Sequence, residues 1–73
     1  MVKISKVIIP CGDRLRVWRE GKDMSQLALA IKLGTTPGAV GRWESGSAPP
    51  SLAYAVRIER ETGIPAAAWV ADA

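Results

Sequence analysis

The chain reads as an all-α protein: a compact five-helix domain over residues 10–73, preceded by an extended arm or short strand over residues 1–9. Three observations predict it. Hydroxyl residues stand just before three helical stretches, at Ser25, Thr36 and Ser51, as helix N-caps do. Glycines close those stretches at Gly34, Gly46 and Gly63. Only residues 1–9 carry a strand-like pattern, so the chain offers that segment no second strand.

In the arm, Val2 and Ile4 alternate with Lys3 and Ser5, and Val7, Ile8 and Ile9 are all β-branched. An unpaired strand of this kind is disordered, lies on the domain, or pairs with another subunit. Pro10 suits a first helical position and opens a helix to about Gly21. Cys11, Leu15 and Trp18 fall at i, i+4 and i+7 and form its expected buried stripe. Gly21, Lys22 and Asp23 break it. Ser25 caps a second helix, Gln26 to Leu33, and Gly34 ends it in a left-handed conformation. Thr36 then caps a third helix, Pro37 to about Glu44; the proline biases Thr36 towards the extended backbone a cap requires. After the loop Ser47-Ala48-Pro49-Pro50, Ser51 caps a fourth helix to Thr62, with Leu52, Ala55, Val56 and Ile58 on its apolar side. Pro65 starts a last short helix, with Trp69 and Ile64 packing inwards.

Composition narrows the function. The 73 residues are 48% hydrophobic, enough for one small domain. There is no His, which removes a Ser-His-Asp triad and a His-based metal site. One Cys makes neither an internal disulfide nor a Cys-only zinc site. No apolar run approaches the roughly 18 residues of a membrane span, and Met1–Pro10 lacks the apolar core of roughly 7–15 residues of a signal peptide. A reduced, intracellular protein is expected, with no cofactor, metal or small-molecule ligand. An enzyme is not expected, because Cys11, Asp13 and Asp23 have no evident catalytic partners. The net charge is +3, but residues 1–42 carry eight bases against three acids and residues 43–73 two bases against four acids. A basic first half suits a polyanion, and equally a solvated surface.

Two short helices across a tight glycine turn form a helix-turn-helix unit. Its packing needs a small residue where the helices cross (Ala30), a turn residue tolerating positive φ four positions later (Gly34), and apolar residues facing inwards (Leu29, Leu33, Val40, Trp43). An ordinary αα-hairpin is the plainer alternative. Residues 25–46, Ser-Gln-Leu-Ala-Leu-Ala-Ile-Lys-Leu-Gly-Thr-Thr-Pro-Gly-Ala-Val-Gly-Arg-Trp-Glu-Ser-Gly, resemble the Cro/phage-repressor family, lambda-repressor-like or xenobiotic-response-element type. The match rests on Ser25, Gln26, Leu29, Ala30, Gly34, Val40, Trp43, Glu44 and Gly46, and extends from Cys11 to about Trp69.

The resemblance implies a sequence-specific regulator that lays its third helix in the major groove of double-stranded DNA. A Cro-like repressor, phage-encoded or bacterial and cytoplasmic, binding a palindromic operator as a homodimer, is the expected form; an antitoxin-type or other protein-interaction module is the alternative. Groove-facing positions would be Thr36, Pro37, Gly38, Gly41 and Arg42, a bare set where the family often carries Gln, Asn, Ser or Lys. Base readout falls to Arg42, whose fork suits guanine, with phosphate contact as its other reading. The two glycines are expected to let the helix sit close to the groove floor. Ser25, Gln26, Ser45 and Ser47, with Arg14, Lys22, Lys3 and Lys6, are phosphate candidates. Arg19 and Glu44 are expected to form a structural ion pair, and the three tryptophans to be core. Leu27 and Ile31 lie outside the inner face; they are either scattered exposed residues or a partner surface, covered by the Val7–Ile9 arm or by another subunit, with Trp69 a further candidate contact.

Overall fold

Ser25, Thr36 and Ser51 each turn a hydroxyl oxygen onto the backbone N–H three residues ahead, 3.0 Å from Ala28, 3.1 Å from Ala39 and 3.3 Å from Tyr54. Each cap has extended dihedrals and satisfies one of the N–H groups a helix start leaves unpaired. In the computed structural model, which describes residues 11–69, the elements are α1 Cys11–Gly21, α2 Gln26–Leu33, α3 Pro37–Ser45 and α4 Leu52–Thr62, followed by a single 3₁₀ turn, Ala66–Trp69. Among the described residues there is no strand. The expected arm, with Lys3, Lys6, Val7 and Ile9, lies outside them.

The fold is all-α, with four α-helices where five were expected. The last described segment forms a 3₁₀ turn in place of the expected α-helix. Gly63 ends α4 at φ 83°. The N–H of Ala68 donates to the Pro65 carbonyl at 2.9 Å, a 3₁₀ spacing.

One buried cluster holds the helices together: Leu15 of α1, Leu29, Ala30 and Leu33 of α2, Val40 and Trp43 of α3, Ile58 of α4, and Ile64. Ala30 is fully buried at the crossing, as its size requires. Two expected stripes are displaced. On α1, Cys11 and Trp18 only flank the core, and Gly12 is buried beside Leu15. A Cβ at Gly12 would overlap the Trp43 carbonyl oxygen and lie 2.8 Å from that of Glu44. The backbones of α1 and α3 therefore meet where the sequence suggested side-chain packing. On α4, Ala55 and Ile58 point inwards, Val56 is half-buried, and Leu52 is 77% exposed. Each three-residue step falls about 60° short of a full turn, so Leu52 lies about 120° from Ile58. Of the tryptophans, Trp43 is buried, while Trp18 and Trp69 are partly buried against the cluster.

Candidate nucleic-acid interface

The turn between α2 and α3 is held from both sides. Gly34 takes φ 75°, a conformation glycine adopts without the Cβ penalty. The N–H of Thr35 donates to the Ala30 carbonyl at 2.9 Å. Two side chains of α4 then bind the turn's carbonyls: Tyr54 Oη donates to Gly34 O at 3.0 Å and Arg57 Nη1 to Leu33 O at 3.1 Å. The Arg57 guanidinium also lies 5.2 Å from the centre of the Tyr54 ring, and that ring packs 5.5 Å from Trp43. Sequence reasoning missed this clamp, because side chains reaching carbonyls of another helix leave no periodic trace.

The far end of α3 is tied down by charge. Arg19 of α1 makes a two-pronged contact with Glu44, Nε to Oε2 at 2.7 Å and Nη2 to Oε1 at 3.0 Å, and donates Nη1 to the Met24 carbonyl at 2.8 Å. The expected ion pair is thus present, with side-chain exposures of 12% and 4%. A pair so enclosed leaves an uncompensated charge when one partner is removed, at a cost of about 3–5 kcal/mol. The hydrogen bonds to Glu44 raise the Arg19 pKa, against burial, which lowers it. A cation whose pKa is raised on folding stabilises the fold fully below its ordinary titration range. That contribution fades only as pH climbs through the raised value.

Gln26 joins the same cluster. Its Nε2 donates to Glu44 Oε1 at 3.1 Å, so its side chain spans from the start of α2 to the end of α3. It passes over Gly41, where a Cβ would meet the Gln26 amide atoms at 3.5–3.6 Å. Gly41 therefore faces Gln26, and the open side of α3 narrows to Thr36, Pro37, Gly38 and Arg42, all exposed. Arg42 makes no side-chain hydrogen bond or ion pair among the described residues. It lies back along the helix, with Nη1 3.9 Å from where a Gly38 Cβ would stand.

The phosphate candidates are dispersed. Ser25 uses its oxygen as the cap of α2. The Ser45 hydroxyl donates to the Arg42 carbonyl at 3.2 Å, and Ser47 Oγ stands 3.4 Å from the same oxygen. Both serines thus finish the C-terminus of α3, which ends at Gly46. Lys22 sits 5.6 Å over the Trp18 ring, and Arg14 is exposed. Leu27 and Ile31 remain 55% and 70% exposed. No helix among the described residues is long and apolar enough to cross a membrane.

A family model described as Helix-turn-helix matches residues 15–69. Among curated proteins, the chain is similar to Multiprotein-bridging factor 1 of Candida albicans (strain SC5314 / ATCC MYA-2876), 28% identical over 64 residues. That alignment covers 88% of this chain and 42% of the relative, so the chain spans less than half of its length. No solved structure matches the chain. The family match covers the capped pair α2–α3, the clamp from α4 and all but the first turn of α1, and on it the chain belongs to the Cro/C1-type helix-turn-helix family.

Proposed function

We propose that this chain is a transcription regulator that reads duplex DNA with α3 in the major groove and Arg42 as its base-contacting side chain. The observation that carries the reading is the state of Arg42: exposed, without a polar partner among the described residues, on a helix whose pose three other elements fix. An arginine fork held ready in this way suits guanine O6 and N7. The regulator acts by binding and not by catalysis. As a Cro-like repressor it would bind as a homodimer to a palindromic operator, with half-sites about one helical turn, roughly 34 Å, apart. Backbone contact would come from the N-terminus of α2 and from Ser45 and Ser47 at the C-terminal end of α3, with Lys3 and Lys6 as further cations.

Selection of bound duplexes from random sequence tests this directly. Recovery of a palindrome containing a G that the Arg42→Ala variant no longer prefers is the expected result. Absence of salt-dependent duplex binding would overturn it.

A second reading has its own support. The open side of α3 carries Pro37 and Gly38, which offer no side-chain hydrogen bond to a base, and the similar fungal protein is named a multiprotein-bridging factor. In that reading the domain contacts another protein as well as, or in place of, DNA.

A further inference from the structure

An open cleft of about 340 Å³ runs between the last turn of α2 and the outer side of α4, with Ile31, Lys32 and Leu33 on one wall and Arg57, Arg60 and Glu61 on the other. It shares no residue with the open side of α3. Its charge is unusual for its place in the chain. Residues 43–73 hold four acids and only two bases, and both bases, Arg57 and Arg60, line this cleft. The cleft's one acid, Glu61, is already paired with Lys32 at 3.4 Å. Arg57 and Arg60 stand uncompensated, three residues apart on one side of α4.

The two arginines are prepared differently. Arg57 is fixed by its bond to the Leu33 carbonyl and by the Tyr54 ring, which uses one of its five N–H donors. Arg60 is exposed and makes no hydrogen bond or ion pair among the described residues. Across the cleft from them, on α2, stands Ile31, 70% exposed. We propose that this cleft docks an acidic segment of a partner protein, which presents carboxylates to Arg57 and Arg60 and an apolar side chain to Ile31. Arginine forks bind carboxylates in two-pronged fashion, and a fork already held in place loses little freedom in doing so. A protein segment is favoured over a nucleic-acid backbone because the cleft is concave and walled by Ile31 and Leu33. This docking site does not depend on the DNA reading of α3.

The test titrates the isotope-labelled full chain with a fluorescent peptide of repeating Glu-Leu-Asp, followed by NMR amide shifts and by anisotropy. Saturable shifts at Ile31, Lys32, Arg57 and Arg60 are expected. Arg60→Glu, at an exposed position without polar partners, is expected to weaken the peptide roughly tenfold or more. Arg57→Lys, which also loosens the clamp on the turn, should weaken it less, while Arg60→Glu keeps the parent melting temperature to within a few degrees. A Gln-Leu-Asn peptide should bind far more weakly. The proposal fails if the peptide does not bind, if shifts map only to Thr36–Arg42, or if the neutral peptide binds equally well. It fails too if Arg60→Glu leaves the peptide unaffected. Two further results overturn it by naming another occupant. Loss of duplex binding equal to the loss of peptide, at matched ionic strength, would make the cleft a phosphate contact. Cleft shifts that follow chain concentration without peptide would make it a contact between two copies.

Discussion

The two ends of α3 are built on opposite plans. At its C-terminal end the helix is tied to three other parts of the chain. Glu44 holds Arg19 and Gln26, and the backbone passes so close to Gly12 that no Cβ fits between them. At its N-terminal end the Thr36 hydroxyl caps the helix, Pro37 and Gly38 are exposed, and a Cβ at Gly38 would have only Arg42 Nη1 and Thr36 Oγ1 within 4 Å. The difference teaches where the chain concentrates its rigidity. The pose of the helix is set at the closed end, at the clamped turn and by buried Val40, so the exposed Pro37 and Gly38 carry no packing duty.

Mutations at the two ends should therefore separate stability from binding. The largest expected effect is at the charge cluster: Glu44→Ala leaves Arg19 without its partner and should cost about 3–5 kcal/mol in chemical denaturation. A double-mutant cycle with Arg19→Ala should recover much of that loss, because the stranded charge is then gone; additive losses would mean that the pair is not coupled. Gly12→Ala comes next. Alanine is favoured in a helix, yet this Cβ meets two carbonyl oxygens, so a net loss of about 1–3 kcal/mol is expected. A gain in stability would show that α1 and α3 do not meet as closely as described. Arg42→Ala should leave the melting temperature unchanged and reduce affinity for a selected duplex by about 1–3 kcal/mol. A loss equal on all duplexes would place Arg42 on phosphate. The smallest effect belongs to Gly38→Ala, which should add up to about 1 kcal/mol of stability, since its Cβ meets only ordinary contacts. Gly41→Ala tests the close-approach idea: an unchanged operator affinity with a more stable fold would refute it.

Much of this was legible in the sequence because caps are local. Ser25, Thr36 and Ser51 fix helix starts through bonds to residues three positions on, and the glycines end the same helices, so α2 and α4 occur at the expected residues. Arg19 and Glu44 were found through the family resemblance, not through any spacing. What stayed hidden depends on which way a helix turns after it starts. Leu52, expected on the apolar side of α4, points out, and Gly12, outside the expected stripe of α1, is a backbone contact. Gln26 was read towards phosphate, yet its amide reaches Glu44, a bond across 18 positions that no local pattern announces. The clamp of Tyr54 and Arg57 on the turn was invisible for the same reason.

The blankness of Gly38 has an evolutionary consequence. A Cβ added there meets nothing closer than 3.9 Å, so a side chain can be installed at this exposed position without its first atom crowding the core. Under the proposed DNA reading, new target preferences would then be reachable one step at a time. The domain is in that sense a lock whose remaining pins have not been cut.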